Sequence, residues 1–203
     1  MYDPSHFRRR VMTPRPWHPY AVSTRRTILL ATVAVAVVVV GILTHRWFVD
    51  PHEDEPGSAD AIFVLGGGGD RVGFALDLVR DGVSDTAVFA SDFVESQGVW
   101  AARPCNDVRP DDVPESATFE CHEPDPATTR GEARLLRDLA TAHGWDTVVV
   151  VASTDQITRA RRLIERCWDG ELRLTGPDHD QPWPIRAFYE WGAGLKATVL
   201  RGC

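Results

Sequence analysis

Residues 60–69 read Asp-Ala-Ile-Phe-Val-Leu-Gly-Gly-Gly-Gly, and this stretch decides the fold. A short apolar run that ends in glycines is typical of a buried strand followed by a tight turn. The next residues, 70–81, carry apolar side chains at positions 72, 75, 76 and 79, which is helical spacing, and the pattern stops at Gly82. The order of strand, glycine turn and helix predicts the first unit of an α/β domain.

The same alternation continues along the chain and defines the fold class. Further strands are predicted at residues 86–90, 148–151 and 171–175, and further helices at residues 129–142, 155–168 and 184–201. Because helices separate the strands, we expect right-handed parallel crossovers and a three-layer α/β/α sandwich with a Rossmann-like, mostly parallel sheet. Residues 92–127 hold five prolines and are irregular, with one short strand suggested at residues 117–121.

An uncharged stretch precedes this domain. Residues 27–44 are 18 residues rich in valine, alanine, leucine and isoleucine, near the lower limit for crossing a hydrocarbon core of about 30 Å. A cleaved signal peptide would have a shorter apolar run and a small-residue cleavage site, and a core helix would have fewer valines and a polar face. We therefore favour a retained transmembrane signal anchor at residues 27–45, which makes the lipid bilayer the first expected partner.

The charge distribution predicts the orientation of this anchor. Residues 1–26 contain six arginines and one acidic residue, a net charge of +5, so the remaining residues carry −12 within a total of −7. The positive-inside rule then predicts a cytoplasmic N-terminus at residues 1–26, a linker at 46–58 and an extracytoplasmic domain at 59–203, held at the plasma membrane by a single pass. An acidic domain repels phosphate backbones, which argues against nucleic acid as a partner.

The four cysteines all lie on the predicted outer side of the membrane. An even number in an oxidising compartment predicts two disulfides, and four cysteines allow three pairings. We favour Cys105–Cys121, which closes a loop in the irregular segment, and Cys167–Cys203, which ties the last residue to a helix end. A zinc site is the weaker alternative because no Cys-x-x-Cys pair is present, and neither a metal nor any cofactor is predicted.

The candidate ligand site lies where the predicted strands end. In an open parallel sheet, ligands bind beyond the carboxyl ends of the strands, near the point where the strand order reverses. The candidate ligand-binding residues follow these strands or lie on neighbouring helices: Gly66, Gly67, Gly68, Arg71, Ser91, Asp92, Thr129, Glu132, Ser153, Gln156 and Arg159. The glycines match neither G-x-G-x-x-G nor a P-loop, so anion binding and a plain strand-to-helix turn are equal alternatives.

Three of these positions have competing interpretations. Arg71 lies in the first helical turn, where a cation opposes the helix dipole, so we expect it to clamp a phosphate or carboxylate, or else to pair with Asp92 or Glu132. Thr129-x-x-Glu132 fits a capping box, with a catalytic carboxylate as the alternative. Ser153 is a candidate nucleophile, but it lacks a G-x-S-x-G elbow and also suits a strand end. Catalytic residues therefore stay unknown, with Glu132 and Ser153 as candidates.

Three segments of the domain carry motifs of one known family. They are residues 60–67 followed by Arg71, Ala75, Leu76, Gly82 and Ser91, then T-x-x-E-A at residues 129–133, then a stretch close to V-T-S-x-x-H-x-x-R-A at residues 151–160. In this order and spacing, across residues 58–200, the chain resembles the YdcF-like family, to which the SanA and ElyC envelope proteins also belong.

The resemblance implies a Rossmann-like protein at the bacterial plasma membrane, linked to envelope integrity and to cell-wall or lipid-carrier metabolism. We therefore expect a small anionic or phosphorylated ligand, with phosphate-ester hydrolysis or transfer as the first candidate reaction. Gln156 stands where the family has histidine, and Ala152 where it has threonine; glutamine cannot titrate, so whether the chain is an enzyme stays open. The alternative is a non-catalytic interaction module that contacts envelope-assembly proteins, and a dinucleotide- or methyl-donor-binding enzyme follows from fold analogy alone.

Overall fold

The computed structural model of the chain describes residues 24–67, 70–106, 110, 112–178, 183–199 and 202–203. The chain divides into two compact units, one up to Val40 and one from Gly41 to Cys203. Residues 1–23 of the predicted cytoplasmic segment lie outside the described residues.

An apolar helix, α1 (Thr24–Thr44), begins the described chain and is followed by a π-helical turn at His45–Val49. At 1.5 Å per residue, the 21 residues of α1 are about 32 Å long, enough for the hydrocarbon core of a bilayer. Among the described residues this is the one helix long and apolar enough to cross a membrane. The predicted apolar helix is confirmed, and the side of the membrane that each end faces stays a prediction.

The described chain contains seven strands, five of which form one parallel sheet. Their bounds are β1 Ala61–Val64, β2 Thr86–Ala90, β3 Phe93–Val94, β4 Val99–Trp100, β5 Thr118–His122, β6 Thr147–Val151 and β7 Glu171–Thr175. The order in the sheet is β5-β2-β1-β6-β7. In the central strand, Ile62 pairs with Ala87 on one side and with Val149 on the other. All four residues of β1 are buried, as expected for a parallel strand covered on both faces.

Helices cover both faces of this sheet. They are α2 Arg71–Arg80, α3 Thr129–His143, α4 Ile157–Ile164 and α5 Trp183–Val199. Phe63 of β1 shares a buried core with Leu136 of α3 and Ile164 of α4. Its neighbour Ile62 points to the opposite face and shares a second core with Val79 of α2. The predicted three-layer α/β/α sandwich is therefore confirmed.

Residues 92–127 contain more regular structure than their sequence predicted. β3 and β4 form an antiparallel hairpin in which the rings of Phe93 and Trp100 pack edge to face, 5.3 Å apart. Strands of two residues show no alternation of polarity, so the pattern could not predict them. The suggested strand is β5, which pairs in parallel with β2 at the sheet edge. The predicted Cys105–Cys121 disulfide is present and joins the segment to β5.

The second predicted disulfide, Cys167–Cys203, is also present and lies just beyond α4. The sequence predicted this helix at residues 155–168. The structure has a 3-10 turn at Thr154–Gln156 before α4, and the helix ends at Ile164, whose carbonyl accepts a bond of 2.8 Å from the N–H of Cys167. Bonds from i+3 donors tighten the last turn of a helix, so the regular helix is shorter than predicted.

Residues 46–58, expected as a linker, are held against the domain along β7. The N–H of Asp54 donates to the Leu174 carbonyl at 2.8 Å, and the Asp54 carboxylate accepts from the Leu174 N–H at 2.8 Å and from Arg161 at 2.6 Å. Burial raises the pKa of Asp54, but the Leu174 N–H and the Arg161 guanidinium outweigh it and bring the pKa below its usual value. The segment is therefore part of the domain and not a free tether.

Candidate functional site

A cleft of about 1210 Å³ opens at the carboxyl ends of the strands. The chain passes from β1 to β2 on one side, whereas β6 lies on the other side of β1, so the strand order reverses between β1 and β6. In open α/β sheets this position is where ligands bind. Gly66 and Gly67 after β1, Ser91 and Asp92 after β2, and Gln156 after β6 all line the cleft. The strand ends that were named from the sequence therefore meet at one cleft.

Arg71, the first residue of α2, is 2% exposed and connects the ends of two strands. Its Nη1 donates to the carbonyl oxygens of Leu65, at 3.0 Å, and of Gly66, and its Nη2 donates to Ser153 Oγ at 2.7 Å. Its Nε has no hydrogen-bond partner among the described residues. Burial lowers the pKa of the guanidinium, and the negative charge of nearby Glu132 opposes this effect. Arg71 therefore holds the ends of β1 and β6 together beneath the cleft.

Two glycines allow the loop after β1 to pass close to Arg71. Gly67 has a φ of 124°, which L side chains rarely adopt, and a Cβ there would lie 3.0 Å from Arg71 Nη2. At Gly66 a Cβ would lie 3.0 Å from the Ala90 carbonyl oxygen. An added Cβ would make a tight contact at both positions, and at Gly67 the backbone would be strained as well, so both positions favour glycine. Gly68, the third glycine of the candidate site, lies outside the described residues.

Glu132 lies in the first turn of α3 and is 6% exposed. Its Oε1 accepts a hydrogen bond of 2.6 Å from the backbone N–H of Gly66. Burial raises the pKa of this carboxyl, and the Gly66 N–H and the positive charges of Arg71 and Arg159 offset the rise only in part. A carboxyl that keeps its proton to a higher pH beside a cleft suits proton transfer. Of the two catalytic candidates, the geometry favours Glu132.

The capping-box interpretation of residues 129–132 is wrong. The N-cap of α3 is Thr128, one residue earlier than expected, and its Oγ1 accepts from the N–H of Gly131 at 3.3 Å. The N–H of Thr128, which a capping-box glutamate would bind, donates to the Pro126 carbonyl at 2.7 Å. The Glu132 carboxylate instead binds the N–H of Gly66 in the loop after β1, a partner that the local pattern could not indicate.

Arg159 connects α4 to α3 and to α5. Its Nε and Nη2 donate to the two carboxylate oxygens of Glu190 at 2.8 and 3.2 Å, and its Nη1 donates to Thr129 Oγ1 at 2.8 Å. Glu190 is fully buried, and Arg186 on the same helix donates to Asp155 at 2.6 Å. The sequence indicated Arg159 and Thr129 but not Glu190, Arg186 or Asp155, because ion pairs between residues 31 apart leave no local pattern.

The remaining candidates differ in whether they line the cleft. Ser153 has no exposed surface and does not line the cleft, and its hydroxyl accepts from Arg71. A ligand in the cleft could not reach it, so this position does not suit a nucleophile. Ser91 lines the cleft, and its Oγ accepts from the N–H of Ala102 at 2.9 Å, so it also fixes the loop that leads from the hairpin. The side chain of Asp92 is exposed at the cleft rim.

The cleft lining is basic although the domain is acidic. The charged residues that line it, within the described part of the chain, are Arg71, Arg130, Arg159 and Lys196 against Asp92 and Glu132. α5 adds an apolar wall that includes Phe188, Tyr189 and Ala193. A basic floor beside an apolar wall suits a ligand with an anionic group and an apolar part.

Metal ligation is not apparent at this cleft. Across the part of the chain that the structure describes, no group of three or more histidine, cysteine, aspartate or glutamate residues is placed to hold a metal ion. The cations that the structure places at the cleft are arginine and lysine side chains, and Glu132 is a buried carboxyl beside them.

No protein-family model, curated protein or solved structure matches the chain. The YdcF-like family stays an expectation from the motifs, and the functional argument rests on the cleft and the residues around it.

Proposed function

We propose that the chain is a YdcF-like envelope protein with one membrane pass, whose extracytoplasmic domain binds a small anionic or phosphorylated ligand. The ligand belongs to cell-wall or lipid-carrier metabolism at the plasma membrane. It occupies the cleft at the carboxyl ends of β1, β2 and β6.

The charge of the cleft lining carries this proposal. Four basic and two acidic residues line the cleft, and although buried Glu190 balances the charge of Arg159, the lining is still more positive than residues 27–203 as a whole, which carry a net charge of −12. Basic groups gathered in one concave place on an acidic domain attract an anion, and guanidinium groups match the geometry of phosphate and carboxylate. Arg71 also retains a buried N–H, at Nε, that no described residue accepts.

Glu132 supplies the acid–base capacity of the proposed site. Hydrolysis or transfer of a phosphate ester requires a proton donor or acceptor, and Gln156 cannot fill that role. Glu132 is buried beside the cleft, and burial raises the pKa of its carboxyl. In an enzymatic form of the proposal, a water molecule attacks phosphorus as the bond to the ester oxygen breaks, Glu132 donates its proton to that leaving oxygen, and the proton released by the water restores the Glu132 carboxyl.

Titration of the full-length chain in nanodiscs with farnesyl phosphate tests the binding proposal. Farnesol is the matched compound without the anion, and inorganic phosphate is the anion without the apolar part. We expect farnesyl phosphate to bind more tightly than either. Lys196→Gln should weaken its binding about two- to fivefold, because one exposed charge contact at the cleft is lost.

Arg80→Gln is the control for that titration, since it removes the same charge from a residue that pairs with Asp77 and Asp112 and does not line the cleft. Its affinity should equal that of the wild type. Absence of wild-type binding, or equal losses in Lys196→Gln and Arg80→Gln, would count against the proposal.

Thiol labelling tests the topology separately. If the domain is extracytoplasmic, its four cysteines are oxidised in intact cells and react with a membrane-impermeant maleimide only after reduction of spheroplasts. Free cysteines that this reagent cannot reach would contradict the proposed location.

The second candidate is a non-catalytic interaction module. Gln156 favours this function, because it stands at the position of the family histidine and cannot titrate. The hairpin of β3 and β4 favours it as well, because the Cys105–Cys121 disulfide restrains the segment that follows the hairpin. A wild-type chain that binds none of the three compounds but cross-links to another envelope protein through Trp100 would support this second function over the first.

A further inference from the structure

Helix α5 has the charged side chains of Arg186 and Glu190 on its inner side and its large exposed apolar side chains on its outer side. Glu190 is fully buried and Arg186 pairs with the buried Asp155, whereas Phe188 is 83% exposed. A surface helix of a domain surrounded by water has the reverse arrangement, with its apolar side against the core. The outer side of α5 is therefore suited to an apolar environment.

The exposed apolar residues of α5 form one continuous stripe. Phe188 and Tyr189 lie three and four positions after Ile185, and Leu195 lies seven positions, about two turns, after Phe188, so all four are on the same side of the helix. Outside α1, the other large apolar side chains exposed in the described chain are Val49 and Phe93, each 38% exposed, against 62% or more for every member of the stripe. Single exposed apolar residues are ordinary, but a stripe of this kind marks a contact surface.

Helix α5, through Trp191, contacts the end of the apolar helix α1. The Nε1 of Trp191 on α5 donates a hydrogen bond of 3.0 Å to Oγ1 of Thr44, the last residue of α1. The Trp191 ring also packs against the rings of Trp47 and Phe48, with centroids 5.3 and 5.7 Å apart. These residues belong to the same compact unit, Gly41 to Cys203. The point where the proposed membrane span ends is therefore in direct contact with α5.

Basic and aromatic residues surround this junction. The guanidinium of Arg162 lies 4.9 Å from the centroid of the Trp47 ring. A second cavity, of about 220 Å³, is lined by Arg162, Arg166 and Leu195 among others. Tryptophan and arginine are enriched where a protein meets the headgroup layer, and arginine attracts anionic lipids there.

We propose that α5 is a membrane-surface helix, whose stripe lies in the headgroup and acyl boundary of the bilayer that α1 crosses. Its 17 residues include Arg186, Glu190 and Lys196, so it is too short and too polar to cross the bilayer and lies along the surface instead. The inference rests on the membrane anchoring in the proposed function and requires no ligand in the cleft. Because Phe188 and Lys196 also line the cleft, its mouth then opens at the lipid surface.

Photo-crosslinking to lipid tests this inference on the full-length chain in vesicles of phosphatidylethanolamine and phosphatidylglycerol. Benzoylphenylalanine replaces Phe188 in one variant, Phe93 in a second and Val35 in a third. Phe93 is the matched control, an exposed aromatic residue on the β3–β4 hairpin, and Val35 reports insertion of α1. Retention of both disulfides, measured by mass spectrometry, verifies that each variant is folded. The readout is the amount of lipid adduct and of protein adduct at each position.

We expect lipid adducts at positions 35 and 188, each several-fold above position 93. Adducts at 35 without any at 188, or equal amounts at 188 and 93, overturn the membrane-surface helix and leave the anchor intact. Protein adducts at 188 in place of lipid adducts also overturn it, in favour of a protein partner or a second copy of the chain. Absence of lipid adducts at both 35 and 188 overturns the inference together with the anchoring on which the proposed function depends.

Discussion

Arg71 Nη2 donates a hydrogen bond of 2.7 Å to Ser153 Oγ, and this bond joins the ends of the two strands between which the sheet order reverses. Arg71 follows β1, and Ser153 follows β6. The same guanidinium binds the carbonyl oxygens of Leu65 and Gly66. A cation that the sequence suggested as a ligand clamp is thus also a structural connection, because most of its donors are already bound within the chain.

Replacement of Arg71 by methionine should destabilise the fold. The side chain keeps most of its apolar volume, but two carbonyls and one hydroxyl lose a charged donor in a buried place. Such bonds contribute roughly 1.5–3 kcal/mol each but are not additive within one side chain, and removal of one partner from a buried charged contact costs about 3–5 kcal/mol, which is the loss we expect in the free energy of unfolding. Chemical denaturation of the full-length chain measures it. Arg80→Met, on the exposed side of the same helix, should change stability little, and equal losses in the two variants would contradict this role for Arg71.

Gly67→Ala should be more harmful than Gly98→Ala. Both glycines have positive φ, 124° and 66°, which strains any residue with a Cβ. The added Cβ at position 67 also lies 3.0 Å from Arg71 Nη2, whereas nothing lies within 4 Å of a Cβ at position 98. We expect a loss of about 1–2 kcal/mol at position 98 from the backbone alone and a larger loss at position 67. Thermal unfolding compares the two variants, and equal shifts would show that the contact with Arg71 is unimportant.

Glu132→Gln should change the dependence of stability on pH. Burial raises the pKa of Glu132 above its ordinary 4.5, so the folded state binds more protons than the unfolded state between the two values. The stability that this carboxyl contributes is therefore present below pH 4.5 and is lost as the pH rises through the folded pKa. The variant keeps an acceptor for the Gly66 N–H but does not titrate. Relative to Glu132→Gln, the wild type should become less stable as the pH rises.

Denaturation of both proteins across a pH series measures that difference. Glu171→Gln, at an exposed carboxylate on β7, is the control and should follow the wild type. Parallel curves for the wild type and Glu132→Gln would contradict the raised pKa.

Removal of either disulfide should destabilise the domain by an amount that follows loop length. Cys105–Cys121 spans 16 residues and Cys167–Cys203 spans 36. The chain-entropy model gives losses of about 3 and about 4 kcal/mol for the paired serine variants. Unfolding of each double-serine variant under oxidising conditions measures these losses. A loss below about 1 kcal/mol in both variants would mean that the bridges do not restrain the unfolded chain as the model assumes.

The fold was predictable because its signals are local. The apolar runs that end at Leu65 and Val151, the helical spacing after Asp70 and the stop at Gly82 each lie within one element. Both disulfides were predicted as well: four cysteines allow three pairings, and the one we favoured closes the loop in the irregular segment and ties the last residue to a helix end. The β3–β4 hairpin was not predicted, because strands of two residues are too short to show an alternation of polar and apolar side chains.

The site was only partly predictable, because its contacts are distant in sequence. Glu132 and Gly66 are 66 residues apart, and Arg71 and Ser153 are 82 apart. The positions were indicated by their place at strand and helix ends, but the partners were not, so the T-x-x-E pattern was assigned to a capping box. The reversed polarity of α5 was missed for the same reason, since the burial of Glu190 depends on Arg159 of another helix.

The contact between Trp191 and Thr44 has a consequence for the role of residues 50–58. The Thr158 hydroxyl also donates to the Trp47 carbonyl at 3.0 Å. Thr44 and Trp47 are therefore hydrogen-bonded directly to helices α5 and α4. Residues 50–58 are therefore not the sole connection between Thr44 and the rest of the unit from Gly41 to Cys203. Flexible residues inserted among them should leave the contacts of Thr44 and Trp47 in place.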